Sequence, residues 1–308
     1  MGRRHNKGRA VSGILLLDKP QGITSNRALQ IVKRLFNAAK AGHTGNLDPM
    51  ATGLLPICLG EATKVSGFLL DANKRYHGTC KLGVRTFSAD AEGEVIETRP
   101  VGNYSRAKIE KILASFLGDI EQIPPMHSAL KVDGQPLYKL AHQGIEIERK
   151  PRQVHIFENS LLRYENDEID IDVSCSKGTY IRTLAEDIGE KLGCGAHLSA
   201  LRRTASGPFQ LENAITLDEL SSLAEQGFDV IDDLLIPAED ALADWPSVNL
   251  TENAAYYVCQ GQAVLVPKAP TTGLVRLFSE EKGFIGIGEI LEDGRVAPRR
   301  LFFIENNG

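Results

Sequence analysis

Nowhere does this 308-residue sequence run to the roughly 18 consecutive apolar residues that a membrane helix needs. Its first ten residues, MGRRHNKGRA, are basic and polar, without the apolar centre of a secretory signal. Membrane insertion and secretion therefore lack support, and the cytoplasm is the expected compartment. The five cysteines (Cys58, Cys80, Cys175, Cys194, Cys259) form no C-x-x-C pair and are odd in number, which argues against a disulfide framework and a zinc knuckle; reduced, mostly buried thiols are expected. The seven histidines include no H-E-x-x-H, and no H-x-E is followed by P-C-x-x-C, so metallohydrolase and zinc deaminase chemistry find no footing. There is no P-loop and no G-x-S-x-G nucleophile elbow, and the glycines of GFIGIGEI fall inside a strand pattern rather than before a helix.

What is present is ordinary globular material: 42% hydrophobic residues in a chain long enough for one large domain and a small one. The net charge of −5 counts against a phosphate-rich partner only if it is evenly spread. It is not. Arg3, Arg4, Lys7 and Arg9 cluster at the start, Arg149, Lys150 and Arg152 in the middle, then Arg202 with Arg203 and Arg299 with Arg300, while acids concentrate between Glu212 and Asp244. One positive face on an acidic body is one reading, and solvated surface charge is the other.

Along the chain, SGILLLDKPQGITSNRALQIVKRLF reads as a strand, a turn and a helix capped by Ser25 or Asn26, with Leu29, Ile31, Val32 and Leu35 on its buried face. RYHGTCKLGV and EGEVIETRPV read as strands. SRAKIEKILASFLGDIEQ has the apolar spacing of a helix, stopped by Pro124 and Pro125. EIDIDVSCS alternates as a half-buried strand and leads into a helix whose apolar face is Ile181, Leu184, Ala185, Ile188 and Leu192; Tyr180 and Arg182 stand off that face near the helix start. Strands and helices without a regular strand-helix-strand repeat favour an α+β mixed sheet. From about residue 248, GLVRLF, GFIGIGEIL and RRLFFI predict a small all-β module. The expected divisions are a basic, mobile tail over 1–11, a main domain over 12–247 and the β module over 248–308.

One stretch, GHTGNLDPMATGLLPICLGEATK (Gly42–Lys64), joins an acid, a histidine and four glycines to an apolar strand. Asp48 before Pro49 is a common way to start a helical turn, here ended by Gly53. Pro49 also keeps residue 48 out of the α region, so the carboxylate projects, and Gly42 and Gly45 would let a ligand approach it. Tyr76 and the GTYIRT junction, with Tyr180 and Arg182, could partner it. An arginine keeps a carboxylate ionised and oriented, and a tyrosine offers a stacking face and a weak acid-base group. Each tyrosine taken singly reads equally as core packing. The set suits an anionic nucleophile acting on an extruded planar base. His43 reads as a structural histidine or as a side chain that enters the space a flipped base vacates.

The same stretch resembles the catalytic motif of TruB-type tRNA pseudouridine synthases. LLLDKPQGITSN, PPMHSALKVDGQPLYKLAHQGIEIERKPR, CSKGTYIRTLAEDIGEKLGCGAHLSALRRTASGPF and GRVAPRRL extend the resemblance over nearly the whole chain. It implies a pseudouridine synthase core with a C-terminal PUA-like RNA-binding domain, and isomerisation of uridine 55 in the TΨC loop of tRNA. No metal, organic cofactor or obligatory protein partner is implied. By resemblance Asp48 is the nucleophile, Tyr76 stacks on the base and shares in proton transfer, and Arg182 pairs with Asp48. His43 would fill the gap in the loop, Tyr180 and Leu201 would line the pocket, and Lys19, Pro20, Lys64 and Lys131 would have structural or RNA-contacting roles. The apolar run LLPICLG is expected to help wall the pocket and exclude water. Two positions depart from the family pattern: Asn46 stands where a small residue or Thr is usual, and Phe87 where an acid is common, although Asp90 is kept. The alternatives are a tRNA-binding or folding factor without turnover, for which cations and aromatics would suffice, and a small-molecule hydrolase, which lacks a motif.

Overall fold

The computed structural model describes residues 8–302 apart from 129, 133 and 142, together with the side chains of all of these except 131, 136 and 138. Arg3, Arg4 and Lys7 lie outside the described residues. Arg9, expected in a mobile tail, is held: its guanidinium pairs with Asp232 and lies 4.1 Å over the Phe228 ring, and its backbone bridges to Ala38.

A mixed sheet forms the body. Its main strands are β1 (Gly13–Lys19), β2 (Ala41–His43), β3 (Thr52–Leu59), β4 (Lys74–Leu82), β5 (Gly118–Gln122), β6 (Arg152–Glu165), β7 (Glu168–Cys175) and β8 (Ala196–Ser206). They lie in the order β1-β3-β8-β4-β7-β6-β5, with a short Ile215–Thr216 strand outside β1. All neighbours along this path run antiparallel except β3 with β8, and the Ile215–Thr216 strand is parallel to β1. Both faces of β1 and β3 are covered, which explains why GILLLDK and TGLLPICL are apolar without alternation. Leu15, Leu17, Leu55 and Ile57 pack with Ala28, Leu29 and Val32 of helix α1 (Ser25–Leu35). Ile14, Leu16, Leu54 and Cys58 face the other way, toward Phe284 and Ile287. A second core joins β4 and β7 to helices α2 (Arg106–Ala114) and α3 (Ile181–Leu192).

The helix predicted through Gln122 is shorter. It ends at Ala114, and Gly118, at φ +87°, turns the chain into β5, whose pairing with β6 satisfies the backbone that a longer helix would have used. The C-terminal sheet, β9 (Ser247–Leu250), β10 (Gly273–Ser279), β11 (Gly283–Ile290) and β12 (Val296–Leu301), carries the expected short strands. One helix, α4 (Glu252–Cys259), packs beside it through Ala255 and Val258.

Two details place the loop that carries Asp48. One flank of β3 pairs with β2 at Ile57–Leu59 and with β8 only at Thr52 and Gly53, and residues 44–51 arch out between these two partners. Helix α1 is capped by Thr24, whose hydroxyl accepts from Arg27 N at 3.1 Å, not by Ser25 or Asn26. Ser25 is thereby free to clamp the arch. Its hydroxyl accepts from Leu47 N at 2.8 Å and donates to Leu47 O at 3.1 Å, both buried. Replacing Ser25 with Ala leaves two buried backbone groups without partners beside the acid, at a cost of about 1–3 kcal/mol. Chemical denaturation should register that loss.

Candidate active site

Asp48 sits one residue past the Ser25 clamp. Gly22 N donates to Pro49 O at 2.8 Å and Ala51 N to Asp48 O at 3.1 Å, so the Asp-Pro step forms a closed turn. No helix follows it. Gly53 does not end a helical turn but lies in β3 at φ +98°, where a Cβ would come within 2.4 Å of the Arg203 carbonyl oxygen. Gly42 pairs in β2 with Cys58, and Gly45 takes φ +143°, a conformation that L side chains rarely adopt, beside the Arg203 guanidinium.

Arg182, the second residue of α3, donates from Nε to Asp48 at 3.0 Å. Its other nitrogens are also taken: Nη1 reaches Asp90 at 3.3 Å and Ser88 O at 3.0 Å, and Nη2 reaches His127 O at 2.7 Å. Its side chain is 5% exposed against 37% for Asp48, so the cation is fixed inside while the carboxylate opens on the cavity. Burial pushes the Asp48 carboxyl above its ordinary range; the Arg182 charge opposes this most, the Asp90 charge adds to it, and Lys19 and His127 pull down. Burial wins, leaving an anion that is destabilised and therefore more nucleophilic.

Asp48 and Arg182 line two adjoining cavities. The smaller, about 140 Å³, is walled by Tyr76, Tyr180, Ile181 and Leu201, with Ser128 and Thr179 at its polar edge. Tyr76 and Leu201 each pack against both halves of the core, so this pocket lies at the seam between them. Tyr180, the cap residue of α3, is held through its backbone by the buried Gln122 side chain at 3.0 and 3.3 Å. The larger cavity, about 850 Å³, adds Thr24, Asn26, Phe87, Glu92, Glu94 and His127. LLPICLG lines neither cavity; it is the doubly covered centre of the sheet. Among the described residues no group of three or more His, Cys, Asp and Glu could hold a metal ion.

The structure thus brings Asp48, Tyr76, Arg182, Tyr180 and Leu201 together. His43 ends β2; burial and the Arg203 charge lower its pKa, and a hydrogen bond to the Gly45 backbone opposes them. Lys19 is fully buried and donates to Pro20 O and Ile23 O at 2.8 Å each, so it braces the β1–α1 turn, with Pro20 itself exposed. Burial takes the Lys19 ammonium down to about 8. Lys64 turns toward the C-terminal sheet, donating to Leu301 O at 2.7 Å and pairing with Glu61. Lys131 has its backbone in a two-residue strand, and its side chain lies outside the described residues.

Three groups at the site escape a reading of the sequence for partners of Asp48. Asp90, nearly enclosed, is the second anchor of Arg182 and is itself held by Ser88 Oγ and Glu92 N; the family pattern includes it, but nothing in the sequence links it to Arg182. Ser128 faces both cavities. Arg203 is buried although the sequence offers it as surface charge, and its spacing of two from Leu201 in a strand is the signal that would have turned it inward.

Comparison with known proteins agrees with this geometry. Residues 33–181 match the TruB family pseudouridylate synthase N-terminal domain, 182–243 the tRNA pseudouridylate synthase B C-terminal domain, and 246–302 the pseudouridine synthase II TruB C-terminal region. The tRNA pseudouridine synthase B of Nitrosococcus oceani is 58% identical over 99% of both chains. That of Serratia proteamaculans is 51% identical over 98% of both. Among solved structures, a Cbf5-Nop10-Gar1 complex matches with TM-score 0.74 and 29% identity over 94% of this chain and 85% of the other. An H/ACA RNP bound to a substrate RNA containing 2′-deoxyuridine matches with TM-score 0.74 and 26% identity over 99% and 92%. The carboxylate-arginine pair at an aromatic pocket and these relatives lead to one assignment: the chain belongs to the TruB family and is an isomerase that forms pseudouridine in tRNA.

Proposed function

We propose that the chain converts uridine 55 in the TΨC loop of tRNA to pseudouridine, acting in the cytoplasm without an obligatory protein partner. The observation that carries the reading is the Asp48–Arg182 pair at the wall of a small pocket lined by Tyr76, Tyr180 and Leu201. The target base is flipped from the loop into this pocket, where two phenol rings and a leucine offer it stacking surface. Asp48 is the nucleophile. The N1–C1′ bond breaks, the base turns, and a C5–C1′ bond forms; the C5 hydrogen leaves as a proton to water and N1 gains one. The Tyr76 hydroxyl relays that proton; Arg182 holds Asp48 ionised and aimed until it attacks, and receives the carboxylate again when the bond that Asp48 formed is broken. His43 fills the space that the flipped base leaves in the loop. The C-terminal sheet, with Arg276, Arg299 and Arg300, serves as the RNA-binding PUA-like domain.

Pure protein incubated with a tRNA transcript carrying tritium at uridine C5 should release it to water. Failure to release any, with enzyme in excess over transcript shown to bind, would sink the enzymatic reading in favour of a binding factor. A transcript with cytidine at position 55 should lose the product; pseudouridine formed elsewhere in it would displace the site assignment. Asp48→Asn should bind RNA as before and release nothing, whereas full turnover would remove Asp48 from the mechanism.

The raised Asp48 pKa sets the acid limb. The carboxyl must be ionised to attack, so the single-turnover rate should fall as pH drops through a midpoint above the ordinary carboxylate range. A rate that stays flat into that range would contradict the assignment.

A further inference from the structure

Among the described residues Arg203 is the largest fully buried side chain. Its backbone is clasped on both sides, in register with Tyr76 of β4 and with Gly53 of β3. Its guanidinium runs beneath the arch that carries Asp48. Nε donates to Leu54 O at 2.7 Å, and Nη1 lies 3.4 Å from Asn46 O, two residues before the acid. Gly45 lies beside Nη1, its φ of +143° setting the start of the arch next to the cation. Nη2 is buried without a partner of full hydrogen-bond geometry, and among the described residues no carboxylate forms an ion pair with Arg203.

Enclosing a cation with no counter-ion costs several kcal/mol, by order of magnitude, and an apolar side chain of similar volume would fill the space more cheaply. Packing alone therefore does not account for a charge here. Four titratable groups feel it: Lys19, Lys74, His43 and Tyr76. Only Tyr76 among them lines the reaction pocket. Burial raises the Tyr76 phenol, and the charge and the partial hydrogen bond of Arg203 are what draw it back. Cys175 and Asp48, the other charged or titratable neighbours, both push it up.

We propose that Arg203 is a positioning residue for the isomerisation: it fixes the Asp48 arch through the Asn46 carbonyl and turns its spare Nη2 to the Tyr76 oxygen while that oxygen is without its proton. One cation thereby couples the nucleophile's loop to the proton relay. The role of Tyr76 comes from the mechanism above, and the proposal rests on it.

The test compares Arg203→Met, Arg203→Lys and wild type in the full chain. Turnover and KM are measured on the transcript, melting by calorimetry, and the Tyr76 phenol by its tyrosinate absorbance, isolated as the difference from a Tyr76→Phe reference in each background. Arg203→Met should lose about tenfold to a hundredfold in kcat with KM little changed, as misplacement of a reacting group does. Its Tyr76 titration should move to higher pH. Arg203→Lys keeps the charge and loses the fork, so the titration should stay near that of wild type and kcat should recover in part. Wild-type kcat in Arg203→Met, or a loss that follows melting while the Tyr76 titration stays put, would overturn the proposal. Where Arg203→Met does not fold, Arg203→Lys decides: undiminished kcat overturns the anchoring role. Full turnover in Tyr76→Phe would instead overturn the relay assignment, and the titration, which needs no turnover, separates the two failures.

Discussion

The guanidinium of Arg182 is the interaction on which the site depends. It ties Asp48 on the arch, Asp90 and the Ser88 carbonyl on the loop after β4, and the His127 carbonyl, and it does so from the first turn of α3. A buried cation holds that many acceptors only if each is already in place, so the pair is well oriented because the surrounding segments are over-determined. Asp90 carries part of the charge balance and lets Asp48 remain half exposed. The result is a carboxylate in contact with a fixed cation, with burial pushing its pKa above the ordinary range.

Charge inside this chain runs opposite to its net charge. Lys19, Lys74 and Arg203 are buried near the site and rest on backbone carbonyls rather than on acids. Burial brings both lysines down to about 8. Carbonyl dipoles satisfy the N–H groups without cancelling the charge, so a positive field persists beneath the Asp48 arch. Acids stand at the site as well: Asp90, Glu92 and Glu94 line the larger cavity, and the Glu92 charge acts on Lys19 and the Asp90 charge on Asp48.

The C-terminal sheet is part of the same construction. Phe284 and Ile287 cover the face of β1 and β3 opposite α1, and Lys64 pins Leu301 from the segment that follows β3. The strand that leads out of the Asp48 arch therefore has no free face along which to slip. Of the structural and RNA-contacting roles expected for Lys64, the structural one is visible here: the side chain links the segment after β3 to the last strand of the C-terminal sheet.

Much of the site could be read from the chain before any coordinates. Asp48, Tyr180, Arg182 and Leu201 stand in long motifs, Tyr76 stands in a stretch read only as a strand, and the strand-to-helix junction at Tyr180 follows from alternation that gives way to helical spacing. The sequence by itself determined these reactive types and the mixed-sheet class, because side-chain chemistry and hydrophobic period are local properties. It could not determine which residue capped α1, where α2 ended, or that Lys19, Lys64 and Arg203 would turn inward. Those outcomes depend on neighbours distant along the chain: Leu47 for Ser25, β6 for Gly118, Leu301 for Lys64, and Leu54 with Asn46 for Arg203. Only the tertiary structure decided them, since a polar group commits to burial when a partner arrives from elsewhere in the fold, and no local pattern records that arrival.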